Sequence, residues 1–188
     1  KRLKDLKFSI GRLKTGTPPR LLKKTINFNN LDEQQPDKKL IPFSFTNRDI
    51  HIPQISCFIT HTNKNTHEII AKNINLSPMY SGEIQSMGAR YCPSIEDKIH
   101  KFKNKSSHQI FLEPEGLDSD LIYPNGISSS LPTEIQEQFV KTIKGLENVT
   151  ITQPAYAIEY DFVDPQELTH SLETKKIKNL FFAGQING

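Results

Sequence analysis

The stretch 132–162, PTEIQEQFVKTIKGLENVTITQPAYAIEYDF, decides the fold class because it places two strands in succession after one helix. A helix is predicted over 132–143, since four apolar side chains recur on one face and Gly145 stands just beyond its end. The runs 149–152 and 155–162 then predict two neighbouring strands. The helical face carries Ile135, Phe139, Val140 and Ile143, and Pro132 suits the first turn.

Strands and helices do not alternate regularly in the rest of the chain either. Buried strands are predicted at 55–60 (ISCFIT), 109–112 (QIFL) and 180–183 (LFFA), and a short strand follows the Tyr-Pro-Asn-Gly turn within 121–130. Helical segments are predicted at 1–7, at 63–73 with Asn63 or Asn65 as N-cap, and at 165–172. The pattern therefore predicts an α+β fold rather than a doubly wound sheet.

Three segments are predicted to lack regular structure. Residues 11–20 (GRLKTGTPPR) contain two glycines and a Pro-Pro pair, which are typical of a loop. Residues 28–49 are polar, rich in Asn, Asp and Gln, and predict a long excursion. Glycines and prolines interrupt residues 76–108, which are predicted to be irregular.

Composition excludes several classes of protein. The 188 residues are 35% hydrophobic and include 11 Phe and 5 Tyr, enough for a core, which excludes a disordered chain. No run approaches the roughly 18 apolar residues of a membrane-spanning helix. The two cysteines, Cys57 and Cys92, are too few for a disulfide scaffold and favour a reducing compartment. Because the chain runs from Lys1 to Gly188 and stops inside a strand-to-turn pattern, we expect a fragment.

Positive charge is concentrated at the start of the chain. The formal net charge is +3, yet residues 1–24 contain nine Lys and Arg and one acidic residue, so they carry +8. The remaining residues carry −5. A basic segment on a mildly acidic body suggests a polyanionic partner, and a solvated basic helix followed by a surface loop explains the charge equally well.

Cys92 is the most interesting single residue for chemistry. It lies in the sequence GARYCPSIED (88–97), where the nearby cation Arg90 favours the thiolate and the flanking Gly and Pro suit an exposed turn. The alternative is an inert buried thiol. Cys57 lies inside an apolar strand and is predicted to be a core thiol.

Weaker candidates lie at strand ends. His61 follows a predicted strand, as functional side chains often do, although a structural cap is equally compatible. Glu113 and Glu115 could serve as acid and base, although a solvated turn is the simpler interpretation. The segment 181–188 (FFAGQING) predicts a strand running into a glycine turn, where backbone N–H groups can approach a phosphate or a flavin. The chain contains no GxGxxG motif and no P-loop.

Taken together, six segments in one order resemble the glucose-inhibited division protein A family over essentially the whole chain. The segments are 14–20 (KTGTPPR), 60–63 (THTN), 77–82 (SPMYSG), 90–98 (RYCPSIEDK), 111–116 (FLEPEG) and 183–188 (AGQING). The resemblance implies the FAD-binding subunit of the enzyme that installs 5-carboxymethylaminomethyl or aminomethyl groups on the wobble uridine of tRNA. The departures are small: Ala89, Ser56 and Ala155 stand where the family usually has Pro, Pro and Gly.

The family implies FAD and NADH as cofactors, methylenetetrahydrofolate as co-substrate, a GTPase partner subunit, a homodimer, and a cytoplasmic location in bacteria, with the mitochondrial matrix as alternative. It implies an α+β, mixed-sheet second domain, associated with NAD, inserted in a glutathione-reductase-like FAD/NAD(P)-binding fold. The N-terminal GxGxxG unit and the C-terminal helical domain would be missing, so the fragment alone is expected to be inactive. The implied division is 1–20, the end of the FAD-domain segment with the basic loop; 21–175, the inserted domain; and 176–188, the returning strand of the FAD domain.

Functional residues are implied residue by residue. Cys92 matches the family's functional cysteine, a nucleophile or an acid/base at the uracil ring. The FAD contacts would be Gly184 and Gln185. The stretch associated with NAD contains Gly88, Ala89, Arg90, Tyr91, Cys92, Pro93, Ser94, Ile95, Glu96, Asp97, Lys98, Ile99, His100, Lys101 and Phe102. Contacts to tRNA or flavin are suggested for Arg12, Lys14, Thr15, Gly16, Thr17 and Arg20.

Two alternatives stay open at this point. A related folate- and FAD-dependent tRNA uracil-C5 methyltransferase shares the flavin domain, although the segments from 77 to 98 argue against it. A module that binds tRNA or the partner without chemistry of its own is the other alternative. The chemistry fits the wobble-uridine enzyme: thiolate addition to C6 of uracil would activate C5, and a reduced flavin would supply electrons.

Overall fold

The computed structural model describes residues 2–46, 48–82, 84, 86–88 and 92–188. Within these residues the chain forms nine strands and five α-helices, and the strands make two separate sheets. The strands are β1 (Ile10–Thr17), β2 (Arg20–Leu22), β3 (Asp32–Gln34), β4 (Cys57–His61), β5 (Met87–Gly88), β6 (Gln109–Pro114), β7 (Leu121–Asn125), β8 (Ile151–Gln153) and β9 (Tyr156–Val163). The helices are α1 (Arg2–Asp5), α2 (Lys64–Lys72), α3 (Pro78–Ser81), α4 (Ile95–Lys101) and α5 (Thr133–Val140).

The smaller sheet has the strand order β5-β1-β9. β1 and β9 pair antiparallel along their whole length, from Ile10 opposite Val163 to Thr17 opposite Tyr156. On the other side of β1, the short β5 runs parallel to it, with Lys14 opposite Gly88. This parallel pair brings the chain just before Cys92 alongside β1, which is how the candidate site is positioned.

The larger sheet has the order β3-β4-β6-β7-β2-β8, and all its neighbours are antiparallel. One face of its central strands is apolar and buried, and it joins a single core with residues of α2, α4 and α5. Phe139 of α5 is completely buried in that core, so its truncation to Ala would cost about 3–5 kcal/mol. The sheet contributes Leu21, Ile110, Leu112 and Ile122. The mixed architecture confirms the predicted α+β class.

The helices begin where local sequence signals place them. Asn63 caps α2: its side chain accepts from the backbone N–H of Thr66, whose hydroxyl accepts from the backbone N–H of Asn63. This confirms the helix predicted at 63–73. After α5, Gly145 has a φ of 85°, and a Cβ there would lie 2.8 Å from the carbonyl oxygen of Asn27. The longest helix in the described part of the chain, α2, has nine residues. None of the described helices is long and apolar enough to span a bilayer.

The prediction of a loop at 11–20 is wrong. Residues up to Thr17 belong to β1, in which every residue has a partner in β9, and the connection to β2 is the pair Pro18 and Pro19 alone. Gly11 lies in this strand because the ring of Phe162 packs against it: a Cβ would come within 2.4 Å of that ring. The glycine signal therefore reflects a close approach between strands rather than a turn.

Two further corrections concern the middle of the chain. Residues 76–108 are not wholly irregular, since α4 begins after Ser94, whose side chain accepts from the backbone N–H of Asp97. The strand in 121–130 comes before the glycine of the Tyr-Pro-Asn-Gly sequence, not after it, because β7 ends at Asn125. The excursion at 28–49 contains β3, an exposed edge strand that pairs with β4. The strand predicted at 55–60 is β4, and most of its residues are half-buried rather than buried.

Residues 180–183 do not form the predicted buried strand. Among the described residues, their strand-like pairing is limited to one antiparallel bridge, between Phe181 and Glu173. The side chain of Phe181 is 55% exposed. An apolar run becomes a strand only where neighbouring strands supply hydrogen bonds, and here one bridge is formed. The other predicted elements are confirmed within a few residues, including the helical turn after Pro165 and the strands β6, β8 and β9.

Candidate active site around Cys92

The thiol of Cys92 is half-buried and faces β1. It follows β5 and precedes α4, and the hydroxyl of Thr15 donates a hydrogen bond to its Sγ over 3.2 Å. Beside this contact lies a small cavity of about 10 Å³, lined by residues of β1, α4 and the segment after β7. Such a volume is about that of one water-sized sphere, so a ligand the size of a pyrimidine would have to approach the half-exposed thiol from outside this cavity.

α4 is fixed next to Cys92 by side chains from other motifs. The hydroxyl of Tyr80, in α3, donates to Oδ1 of Asp97 over 3.0 Å. Burial, together with the charge of Asp97, raises the pKa of Tyr80 above its usual range, so the phenol keeps its proton at neutral pH. The ring of His100 lies edge-on to that of Tyr80 at 5.7 Å. The segments 77–82 and 90–98, noted separately in the sequence, are therefore in contact.

Glu96 supports the same helix from the inside. Its side chain is completely buried, and its Oε1 accepts hydrogen bonds from the hydroxyl of Ser129 at 3.0 Å and the backbone N–H of Ser130 at 2.9 Å. Its Oε2 is buried without a partner among the described atoms. The carboxylate thus ties α4 to the segment after β7, with the hydroxyls of Ser77 and Ser130 2.7 Å apart beside it.

Lys98 also points inward. Its ammonium group donates to the carbonyl oxygen of Gly126 over 2.9 Å. Burial lowers the pKa of Lys98, and the nearby Cys92 acts in the opposite direction. The lysine is therefore close enough to the thiol for a charge on one to influence the other.

The residues of the stretch 88–102 do not share one surface. Ile95 and Glu96 are completely buried, so their side chains hold α4 in place and do not reach a ligand. His100 and Phe102 instead line a groove of about 600 Å³ between α2 and the turn after α4. Ala89, Arg90 and Tyr91 lie outside the described residues, and so does the proposed effect of Arg90 on Cys92.

Two of the cations in the basic segment are paired. Arg12 lies 3.2 Å from Glu159 and 2.8 Å from Asp161 across the β1–β9 ladder. Arg20 pairs with Glu115, donates to the hydroxyl of Thr17 and the carbonyl oxygen of Pro18, and lies 4.5 Å from the ring centre of Tyr123. These contacts weaken the inference that the segment's whole positive charge serves a polyanion. Lys14, Thr15 and Gly16 line the small cavity beside Cys92.

The remaining candidates lie elsewhere. Glu113 lies half-buried in β6 and accepts from the amide of Asn125, whereas Glu115 is exposed in the bend after β6, as the sequence suggested, and pairs with Arg20. His61 is exposed at the end of β4. Cys57 is half-buried in that strand, and burial, followed by the charge of Glu113, raises the pKa of its thiol. The Thr15–Cys92 contact was not foreseen, because no local signal links residues 77 positions apart.

The geometry can be set beside known proteins. A family model described as "Glucose inhibited division protein A" matches residues 1–188. The chain belongs to the GidA family. Two structures of Aquifex aeolicus GidA are similar to it, the form I crystal at 51% identity with a TM-score of 0.88, and the form II crystal at 49% identity with a TM-score of 0.85. Each match covers 98% of this chain, and the chain spans only about a third of each relative, 32% and 30%.

The turn at Gly184–Asn187 leaves its backbone accessible to a ligand. Gly184 has a φ of 81° and open space around its Cα, and Gln185 is exposed, so the backbone can approach a flat ring. The carboxamide oxygen of Asn187 is buried without a hydrogen-bond partner among the described atoms.

The turn at Gly184–Asn187 and Cys92 lie at different points of the β1–β9 ladder. The turn packs against β9 at Phe162, which pairs with Gly11, whereas Thr15 at the thiol pairs with Ile158. Four residues of strand separate Gly11 from Thr15, or about 13 Å. Both GidA-family segments are thus held by the same two strands.

Proposed function

We propose that this chain is the central part of a flavoprotein that modifies the wobble uridine of tRNA, and that Cys92 is its reacting thiol. The observation that carries the proposal is the GidA match over residues 1–188, combined with the placement of Cys92 beside Thr15 of the KTGTPPR segment. The matched segments include the one around the thiol, which is half-buried and close to Lys98.

The chemistry follows from the electronics of uracil. C5 of the ring is a weak nucleophile, and a thiolate that forms a bond to C6 moves an electron pair to the O4 enolate, which makes C5 nucleophilic. After C5 has bonded to a one-carbon electrophile, loss of the C5 proton expels the thiolate and restores the ring. Bound FAD would supply the electrons that the reaction needs.

The residues of this chain would act on that thiol and on the flavin edge. Thr15 would hold the sulfur, and Gly184 and Gln185 would contact the flavin through the exposed turn. The division into 1–20, 21–175 and 176–188 is part of the proposal. The β1–β9 ladder crosses this division and would connect the inserted domain to the FAD domain.

The remaining properties are proposed from the family. They are NADH binding by the stretch 88–102, methylenetetrahydrofolate as co-substrate, a GTPase partner subunit, a homodimer and a cytoplasmic location. His100 and Phe102, at the exposed end of that stretch, are where a nucleotide could make contact, because both border the 600 Å³ groove. Flavin reduction by added NADH in the full-length protein, compared with the variant Phe102→Ala, would test that assignment.

The central test is nucleoside mass spectrometry of total tRNA from cells with full-length Cys92→Ser, with Cys57→Ser as the matched control. Loss of 5-carboxymethylaminomethyl and aminomethyl uridines only in Cys92→Ser, with 5-methyluridine intact, would support the proposal. Normal wobble nucleosides in Cys92→Ser would remove the thiol from the chemistry. Loss of 5-methyluridine instead would assign the protein to the uracil methyltransferases.

A further inference from the structure

The hydroxyl of Thr15 is placed by the most extensively paired strand in the chain. Thr15 lies in the second half of β1, opposite Ile158 in the eight-pair ladder with β9. Its backbone is therefore fixed by β9, which lies far in sequence from the segment that carries Cys92. From this position its Oγ1 donates to Sγ of Cys92 over 3.2 Å, across 77 residues of sequence.

A hydroxyl donor at a sulfur atom has a defined chemical effect. It stabilises the negative thiolate more than the neutral thiol, because charge-assisted hydrogen bonds are the stronger ones. The contact is partly buried, and Lys14, Thr15, Gly16 and Cys92 together line the 10 Å³ cavity, which limits competition from water.

We propose that Thr15 is a positioning residue: its hydroxyl holds the sulfur of Cys92 beside β1 and stabilises the negative charge that the sulfur carries when it reacts. This inference rests on the proposed function only in taking Cys92 as the reacting thiol. It gives the KTGTPPR segment a role in preparing the nucleophile, in place of a direct contact between Thr15 and tRNA or flavin.

The test is the rate of alkylation of each cysteine by iodoacetamide at about pH 7 in the FAD-loaded full-length protein, followed by peptide mass spectrometry. The variants are Thr15→Val, which keeps the shape and removes the donor, and Thr15→Ser, which keeps the donor. Cys57 in the same molecule is the internal control, since it lies in β4 away from Thr15. We expect alkylation of Cys92 to slow by about 5- to 10-fold in Thr15→Val and to stay near the wild-type rate in Thr15→Ser.

Equal rates at Cys92 in wild type and Thr15→Val would overturn the proposal. A parallel change at Cys57 would also overturn it, because that result would assign Thr15 a packing role. The experiment uses no tRNA, so its outcome is independent of the wobble-nucleoside test. If the thiol responds to Thr15 while Cys92→Ser still modifies tRNA, the coupling stands and the proposed function of Cys92 fails.

Discussion

The side-chain amide of Gln136 hydrogen-bonds to both backbone groups of Ala155, as a neighbouring strand would. Its Nε2 donates to the carbonyl oxygen of Ala155 at 2.9 Å, and its Oε1 accepts from the N–H of Ala155 at 2.7 Å. The same Nε2 donates to the carbonyl oxygen of Leu131 at 2.7 Å. Gln136 is only 1% exposed, so its side chain satisfies backbone groups that water does not reach. These hydrogen bonds connect α5 to the residue before β9.

We expect Gln136→Leu to lower the free energy of unfolding by about 2–4 kcal/mol, because three backbone groups would lose their partner in a dry site. Chemical denaturation of the full-length protein measures the change. Gln138→Leu is the matched control, since Gln138 lies on the same helix and is exposed. A similar small loss in both variants would contradict this account of Gln136.

Arg20→Ala is expected to loosen the connection between β1 and β2. The substitution removes the pairing with Glu115, the stacking on Tyr123 and the two hydrogen bonds that hold Thr17 and Pro18. We expect a loss of about 1–2 kcal/mol in the free energy of unfolding and faster proteolysis near Pro18. The exposed Arg48→Ala is the control, and equal behaviour of the two variants would show that the Arg20 contacts contribute little.

Buried Glu96 predicts different outcomes for two replacements. Glu96→Gln keeps an oxygen that accepts from Ser129 and Ser130, so we expect a change of less than about 1 kcal/mol in the free energy of unfolding. Glu96→Leu leaves both donors unpaired and is expected to cost about 2–3 kcal/mol. Thermal denaturation, with exposed Glu137→Leu as control, separates the cases. Equal losses for Gln and Leu would mean that Glu96 acts through its charge rather than through these hydrogen bonds.

His67 and His108 predict a loss of stability in mild acid. Their rings lie 5.3 Å apart, and burial lowers the pKa of His67, while burial and the nearby cations His67, Lys98 and Lys105 lower the pKa of His108. The folded chain therefore favours the neutral rings. Stability is complete above the ordinary histidine pKa of 6.5 and falls as the pH drops below it, because the unfolded chain takes up the protons first.

The measurement is the free energy of unfolding at about pH 7.5 and about pH 5.5. We expect it to fall at the lower pH in the wild type and in the control His61→Gln, and to fall less in His108→Gln. An identical pH dependence in His108→Gln and the wild type would exclude His108 as a cause.

Local signals were sufficient for some elements and misleading for others. The cap residue Asn63 directly precedes α2, and the apolar residues that predict α5 lie within that helix. Because both signals are local in sequence, both helices are predicted correctly. The same kind of information misplaced β1, because its glycines resemble a turn while its partner strand lies about 150 residues away. α4 was missed although Ser94 and Asp97 have capping-box spacing, since the glycines and prolines around them dominated the interpretation.

The site divides in the same way. Cys92 could be selected from its motif, and the structure gives it a half-buried place beside β1. Thr15 could be selected only as a member of the KTGTPPR segment, because its contact with the thiol depends on the pairing of β1 with β5 and β9. Arg12 and Arg20 are counted as free cations in a charge sum, and the acids that neutralise them become visible only in the fold.

The β1–β9 ladder has a consequence for biosynthesis. Arg12 leaves the ribosome first, and its partner Asp161 follows 149 residues later. At about 5–20 residues per second, β1 waits roughly 7–30 s for its partner strand. During this interval the backbone of β1 lacks its partner in β9 and can pair with another nascent chain. We therefore expect the yield of folded protein to depend on the rate of elongation and on any chaperone that covers residues 10–17.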